Sequence, residues 1–200
     1  MFIFHNGILR ETESDISRIV VVTSHRNCGD LSDLEILIIL LEDRRFFQHR
    51  GIDAFAVVRE ILKMFTLQKY GGASTIDMQF VRMRTGYKDR TVMRKVYEMF
   101  LARLLQSRMK KLEILKAYLQ QMYLGSGIYG IESGARAMFG KSTGELCREQ
   151  AAVIAAMMVY PRPLDPSSGW NERIMRRATY GLKLFDRLGQ RYKRHASTCR

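Results

Sequence analysis

The chain has 200 residues, enough for one domain with a real core, and its 46% hydrophobic and 10% aromatic content excludes wholesale disorder. A net charge of +13 and a pI near 10.0 point to an anionic partner: nucleic acid, an acidic membrane surface or a phosphorylated substrate. Composition alone ranks nucleic acid first. The three cysteines, Cys28, Cys147 and Cys199, form no CxxC pair, which argues against a disulfide framework and against a zinc site. The longest apolar runs, Ile36 to Leu41 and Ala151 to Tyr160, fall short of the ~20 residues that span a bilayer. The first ten residues lack a basic flank followed by a long apolar run, so no signal peptide is expected.

In chain order, Ile19 to Val22 reads as a short strand and Asn27 to Asp30 as a loop. Ser32 and Glu35 make an S-x-x-E capping box that opens an apolar helix through Leu41, with Glu42 near its end. Asp53 caps a second helix to about Gln68, with Phe55, Val58, Ile61, Leu62 and Phe65 at helical spacing. A Gly-rich turn at Tyr70 to Ser74 leads into another helix. Basic residues then crowd together: Arg82, Arg84, Lys88, Arg90, Arg94 and Lys95. A long helix from about Thr91 to Ser107 sets Tyr97, Leu101, Leu104 and Leu105 toward the core, and a further helix runs from about Lys110 to Tyr123. Gly125 to Gly130 reads as a loop and Ile131 to Phe139 as a short helix. A second capping box, Ser142 and Glu145, precedes an apolar helix ending near Tyr160, where Pro161, Pro163 and Pro166 stop it. A basic helix over about Asn171 to Leu188 and a frayed tail complete a mainly α chain.

Three constellations carry chemistry. In the segment Glu42 to Gly51, Glu42 lies beside Ile38, Ile39 and Phe46, and apolar walls suit a carboxylate to proton abstraction. The alternative is a solvated glutamate paired with Arg44 or Arg45. In Gly71 to Gln79, glycines feed a helix start and Ser74 and Thr75 add hydroxyls, an arrangement that suits a phosphate as well as a plain cap; the P-loop spacing is absent. In Arg94 to Glu98, the two end residues share a helix face, either as a simple ion pair or as a working glutamate. His5, His25, His49 and His195 show no ligand spacing, so His49 is read as ordering its loop. Met157 and Met158 are read as core filling.

Taken in order, these motifs resemble the transglycosylase domain of penicillin-binding proteins and its monofunctional relatives, glycosyltransferase family 51. The pattern E-D-x-x-F-x-x-H-x-G is met by Glu42, Asp43, Phe46, His49 and Gly51. G-[GA]-S-T-[IL]-T-Q-Q-L-x-K-N is met in Gly71, Gly72, Ser74, Thr75, Ile76 and Gln79, and R-K-x-x-E by Arg94, Lys95 and Glu98. Ile114 to Leu119, the Y-G-I-E of Tyr129 to Glu132, Phe139-Gly140-Lys141 and Leu164-Asp165-Pro166 extend the likeness, which spans roughly Leu34 to Leu188.

The resemblance implies a single lysozyme-like helical glycosyltransferase domain over residues 31–190, after a weakly structured or strand-forming 1–30 and before a basic tail at 191–200. It implies polymerisation of lipid II into glycan strands at the outer, periplasmic face of the bacterial cytoplasmic membrane. Partners would be lipid II, the growing strand, the membrane surface and other cell-wall synthesis proteins. Glu42 would be the general base and Glu98 would assist the departing diphosphate, directly or through Mg2+ or Mn2+ held at Glu98; no organic cofactor is implied. Asp43, Phe46, His49, Ser74, Thr75, Gln79, Arg82, Arg94, Lys95 and Lys141 would bind substrate. Preorganised cations and hydroxyls suit a leaving group that gathers negative charge.

Departures from the pattern fall in the second motif. Arg82 replaces a lysine, Met78 and Met83 replace amide side chains, and Asp77 replaces a threonine, setting a negative charge near the expected phosphate site. The family's usual N-terminal anchor and any transpeptidase domain are also not visible. These departures support an alternative: a catalytically weak or inactive domain that binds lipid II or a partner. A nucleic-acid-binding module rests on charge alone, with no recognised motif beside it.

Overall fold

The computed structural model describes residues 16–17, 30–65, 72–86 and 91–198, apart from the side chains at 61, 64–65 and 195–198. The strand expected at Ile19 to Val22, most of the loop at Asn27 to Asp30, Gly71, Lys88, Arg90 and the far end of the second helix lie outside the described residues. The chain is mainly α. Its helices are α1 (Asp33–Glu42), α2 (Ala54–Phe65), α3 (Ile76–Thr85), α4 (Val92–Arg108), α5 (Lys111–Leu119), α6 (Ile131–Phe139), α7 (Arg148–Ala156) and α8 (Ser168–Thr198). A two-residue turn joins the strands β1 (Tyr123–Gly125) and β2 (Ile128–Tyr129). No helix among the described residues is long and apolar enough to cross a membrane.

Two compact units divide the chain, each built from two stretches of sequence. The first holds Met1–Cys28 and Arg45–Leu115, the second Gly29–Arg44 and Lys116–Arg200. In the first unit α3 packs on α4. Phe80 and Val81 of α3 and Leu101 and Leu105 of α4 are fully buried. Gly51 has φ +90, and a Cβ there would stand 2.4 Å from the Ala102 carbonyl oxygen, so only glycine lets this turn lie against α4. Asp53 opens α2 as expected, accepting from the amides of Phe55 and Ala56. The apolar stripe of that helix, however, does not face inward. Phe55, Val58 and Leu62 are exposed, Phe55 by 70%.

In the second unit α1 packs against α7 and α8, and α7 against α8. Both halves of the Ser32–Glu35 capping box form, and Glu35 also meets Lys116 at 3.1 Å. Ile36 to Leu40 have no exposed surface, so α1 is apolar nearly all round because it is a central helix. Leu41 packs 3.1 Å from where a Cβ on Gly181 would lie, a close approach of α1 and α8.

Several boundaries differ from expectation. The helix expected to reach Tyr123 ends at Leu119, and the expected loop after it is the β1–β2 hairpin. Positive φ at Gly125, Ser126 and Gly127 turns that hairpin, and Arg162 donates its amide to the Leu124 carbonyl beside it. The Ser142–Glu145 box caps a short 3-10 turn, Thr143–Glu145, instead of the apolar helix, which starts after Cys147. That helix ends at Ala156, short of Tyr160. The last helix starts at Ser168, with Ser167 accepting the Trp170 amide, and runs through the stretch expected to fray, to Thr198. Tyr192 anchors that extension by donating its hydroxyl proton to the Arg44 carbonyl.

Candidate active site

Each unit carries one of the two glutamates. Glu98, on α4 in the first unit, has no exposed side-chain surface. Arg82 reaches it from α3 as a fork, Nε to Oε1 at 2.8 Å and Nη2 to Oε2 at 3.1 Å. Only a guanidinium makes such a pair of parallel bonds, so the replacement of lysine by arginine has a geometric use. Arg94 lies 3.3 Å and Lys95 3.7 Å from the same carboxylate, one helical turn away along α4. The expected intrahelical pair is therefore present, but as one part of a cluster of three cations on one carboxylate.

Ser74 completes this cluster. Its oxygen accepts from Lys95 Nζ at 2.8 Å, with Arg82 Nη2 at 3.5 Å. Those bonds use its acceptor capacity and leave its hydroxyl proton to donate. Lys95 is half-buried, and that burial, more than any other influence, holds its pKa below the ordinary 10.5; Glu98 opposes the shift, and Arg82 and Arg94 add to it. Thr75 serves differently. It caps α3 by accepting from the Met78 amide at 3.2 Å and gives its one proton to the Gly51 carbonyl at 2.6 Å. Its hydroxyl is spent on the fold, so the expectation that it donates to substrate does not fit this geometry.

The remaining motif residues of the first unit surround Asp77. Asp77 is fully buried; Lys111 contacts it at 2.7 Å and the Gln106 side chain donates to its other oxygen. The same ammonium lies 4.3 Å over the Phe46 ring and 3.5 Å from His49 Nδ1, and the His49 ring meets Phe46 edge-on at 6.4 Å. His49 thus lies between the Lys111 ammonium and the Phe46 ring. The negative charge expected to disturb a phosphate site is instead neutralised by Lys111. Met78, in place of an amide, is fully buried core, and Gln79 is half-buried on α3.

Glu42 is the last residue of α1 in the second unit, with 12% of its side-chain surface exposed. Its partner is Arg177 of α8, whose Nη2 donates to Glu42 Oε1 at 3.2 Å and to the Leu41 carbonyl at 2.9 Å. Neither of the arginines weighed from sequence takes that place. Arg44 donates to the Leu40 carbonyl and to the Tyr180 hydroxyl, while Arg45 pairs with Asp53 at 3.3 Å. Asp43 is buried at the C-terminal cap of α1, its amide bonded to the Ile39 carbonyl at 2.8 Å. Lys141 is exposed and donates to Gln150 at 3.2 Å; none of the bonds at Glu98 involves it. Arg177 was missed from sequence because it lies in a helix with many basic residues and nothing in its spacing pairs it with a residue 135 positions earlier.

A divalent ion at Glu98 was expected as one option. The donor set does not suit one: three cations already crowd this carboxylate, and among the described residues it joins no cluster of three His, Cys, Asp or Glu ligands. Positive charge around a buried acid favours an incoming anion, not a second metal-like cation.

Each unit of this mainly α chain therefore carries a glutamate bound to guanidinium groups, Arg177 on Glu42 and Arg82 and Arg94 on Glu98. The pattern of the Transglycosylase family matches residues 23–185, and the chain belongs to that family. A Cupriavidus necator protein named as a transglycosylase is 35% identical over 153 residues, 76% of this chain and 66% of its own length. Penicillin-binding protein 1A of Escherichia coli is 34% identical over 149 residues, 74% of this chain, and that of Streptococcus pneumoniae 34% over 140 residues, 68% of this chain. The match spans 18% and 20% of those two longer proteins, so it corresponds to one portion of each.

Proposed function

We propose that this chain polymerises lipid II, a disaccharide-peptide on a polyprenyl diphosphate, into glycan strands with inversion at the anomeric carbon. Glu42 takes the proton from the acceptor's sugar hydroxyl as that oxygen attacks the donor's anomeric carbon. The carbon–oxygen bond to the diphosphate breaks on the opposite face, and its electron pair leaves with polyprenyl diphosphate. Arg177 holds Glu42 Oε1 in place, and Arg82, Arg94, Lys95 and the Ser74 hydroxyl meet the charge gathering on the diphosphate. Glu98 acts by holding these cations in register.

The observation that carries this reading is the excess of cations over acid at Glu98, preorganised on two packed helices. Apolar side chains exposed on α2 (Phe55, Val58, Leu62) and on the first turns of α4 (Val92, Met93, Val96) would rest in a bilayer that carries the lipid-linked substrate. With a chain charge of +13, that membrane would be an anionic one, at the outer face of the cytoplasmic membrane. The alternative, a weak or inactive domain that binds lipid II or a partner, draws on the whole altered second motif, and the Lys111–Asp77 pair bears on Asp77 alone.

The test is a lipid II polymerisation assay on the wild type beside Glu42→Gln. We expect glycan polymer from the wild type and a rate about 10²–10⁴-fold lower from the variant, the usual contribution of a general base. Equal rates would remove Glu42 from that role.

A further inference from the structure

We propose that Tyr192 is a positioning residue for the reaction: through the Arg44 carbonyl it fixes the segment that carries Glu42, so that the carboxylate stays aimed at the acceptor's hydroxyl. The assignment rests on the reading of Glu42 as the base. Tyr192 lies beyond residues 23–185, which the family pattern covers, so the pattern gives it no role.

An α-helix leaves its last carbonyls without intrahelical donors. No left-handed glycine closes α1 after Glu42, since the cap residue is Asp43, with φ −151 and ψ 74. Donors of several kinds take the place of such a cap. The Asp43 amide bonds to the Ile39 carbonyl at 2.8 Å, and Arg44 Nε to that of Leu40 at 3.3 Å. The Leu41 carbonyl accepts from Arg177 Nη2 at 2.9 Å. Past the base, the Arg44 carbonyl accepts from the Tyr192 hydroxyl. Two side chains of α8 thus hold the backbone on either side of Glu42, Arg177 before it and Tyr192 after it.

The hold at Arg44 is well supported. Tyr192 is buried, and burial raises its hydroxyl above the ordinary 10.0, with the charge of Asp43 adding to the shift. The group therefore stays protonated, and a donor, across the neutral and mildly alkaline range. Arg44 is fixed at its other end as well, where its guanidinium donates to the Tyr180 hydroxyl. The turn of α8 that carries Tyr192 is tied down separately. Its neighbour Lys193 contacts Asp33, the first residue of α1, at 2.7 Å, and Asp33 also meets Arg148 at 3.1 Å. The end of α8 thereby grips α1 at both ends, but only the grip at Arg44 lies beside the base. Alignment of base and hydroxyl is a large part of what an enzyme supplies, and a displacement of about 1 Å costs on the order of 10²-fold in rate.

Tyr192→Phe keeps the ring and removes the hydroxyl. Well below its unfolding midpoint, its kcat for lipid II polymerisation should fall at least about tenfold while KM stays at the wild-type value. Lys193→Ala, which loosens α8 at the far end of α1, is the control for a merely structural role. It should keep the wild-type kcat and circular dichroism. Carboxyl-carbon NMR on protein carrying isotope-labelled glutamate reads the base without turnover, the Glu42 signal being identified by its loss in Glu42→Gln. That signal should move in Tyr192→Phe and stay in Lys193→Ala. The assignment is overturned by an unchanged kcat in Tyr192→Phe, by an equal fall in Lys193→Ala, or by a Glu42 signal that Tyr192→Phe does not move. A wild type that makes no polymer, or a Glu42→Gln variant that matches it, overturns the reading of the base instead. The NMR shift then decides alone whether Tyr192 fixes Glu42.

Discussion

Around Glu98 the first unit gathers Arg82, Arg94 and Lys95 on a carboxylate with no solvent exposure, whereas around Glu42 the second unit supplies Arg177 to a helix-end carboxylate that keeps 12% of its surface. The difference follows the work proposed for each. A group that must trade a proton with a substrate hydroxyl has to be reachable, and a single guanidinium on one oxygen orients it without enclosing it. A group that arranges cations for a diphosphate does better when sealed, because low dielectric strengthens each contact and salt screens it less. The first unit repeats the sealed design on α3, where Asp77 is buried against Lys111.

The largest expected effect comes from removing the cation in each place. Lys111→Met leaves Asp77 buried against the Gln106 amide without a cation, and should cost about 3–5 kcal/mol in urea unfolding. Asp77→Asn together with Lys111→Met should recover most of that loss. Arg177→Met in the second unit should cost about 1 kcal/mol, since Glu42 can turn to water. Equal costs for the two single variants would erase the distinction between a sealed and an open site.

The glutamates, their helices and the family were legible in the sequence because local signals carried them. Ser32 and Glu35 announce α1, Thr91 caps α4, and the ordered motifs supply roles for Glu42 and Glu98. Partners across long stretches were not legible. Arg177 meets Glu42 from 135 residues away and Lys111 meets Asp77 from 34, and no local rule of periodicity reaches so far. The stripe of Phe55, Val58 and Leu62 shows a second limit: helical spacing identifies an apolar face but not what covers it. The hairpin after α5 was hidden because Tyr123 and Leu124 continue an apolar run past Leu119, where the helix ends, and the tight backbone turn at Gly125 to Gly127 then reverses the chain.

A pH series sharpens the contrast at moderate cost. Burial holds Lys95 below 10.5, against the pull of Glu98, so in the folded protein it loses its proton at a lower pH than a free lysine does. For a lysine depressed in this way, the penalty to the fold is present below its folded pKa and is relieved as pH rises from there toward 10.5. Anion binding moves in the opposite direction. Pyrophosphate affinity at the Glu98 cluster should fall through the same window by about tenfold, the lower end for a bond to a charged group because Lys95 is partly solvated. Calorimetric titration with inorganic pyrophosphate along the pH series measures it. An affinity that stays flat up to pH 10.5 would take Lys95 out of the anion site.

The smallest effect distinguishes two hydroxyl caps. Ser32→Ala in the second unit removes one half of the α1 capping box, but Glu35 keeps its ion pair with Lys116. The expected loss is about 1 kcal/mol, read as a lower midpoint in thermal unfolding, with no change in pyrophosphate affinity. Thr75→Val in the first unit should cost about twice as much, since it removes both the α3 cap and a buried bond to the Gly51 carbonyl. It should also weaken pyrophosphate binding, because Ser74 is the next residue and its place beside Lys95 depends on where that cap is fixed. A valine variant with full affinity would mean that Ser74 is held by Lys95 and Arg82 alone, and the sealed cluster would then owe nothing to the motif that leads into it.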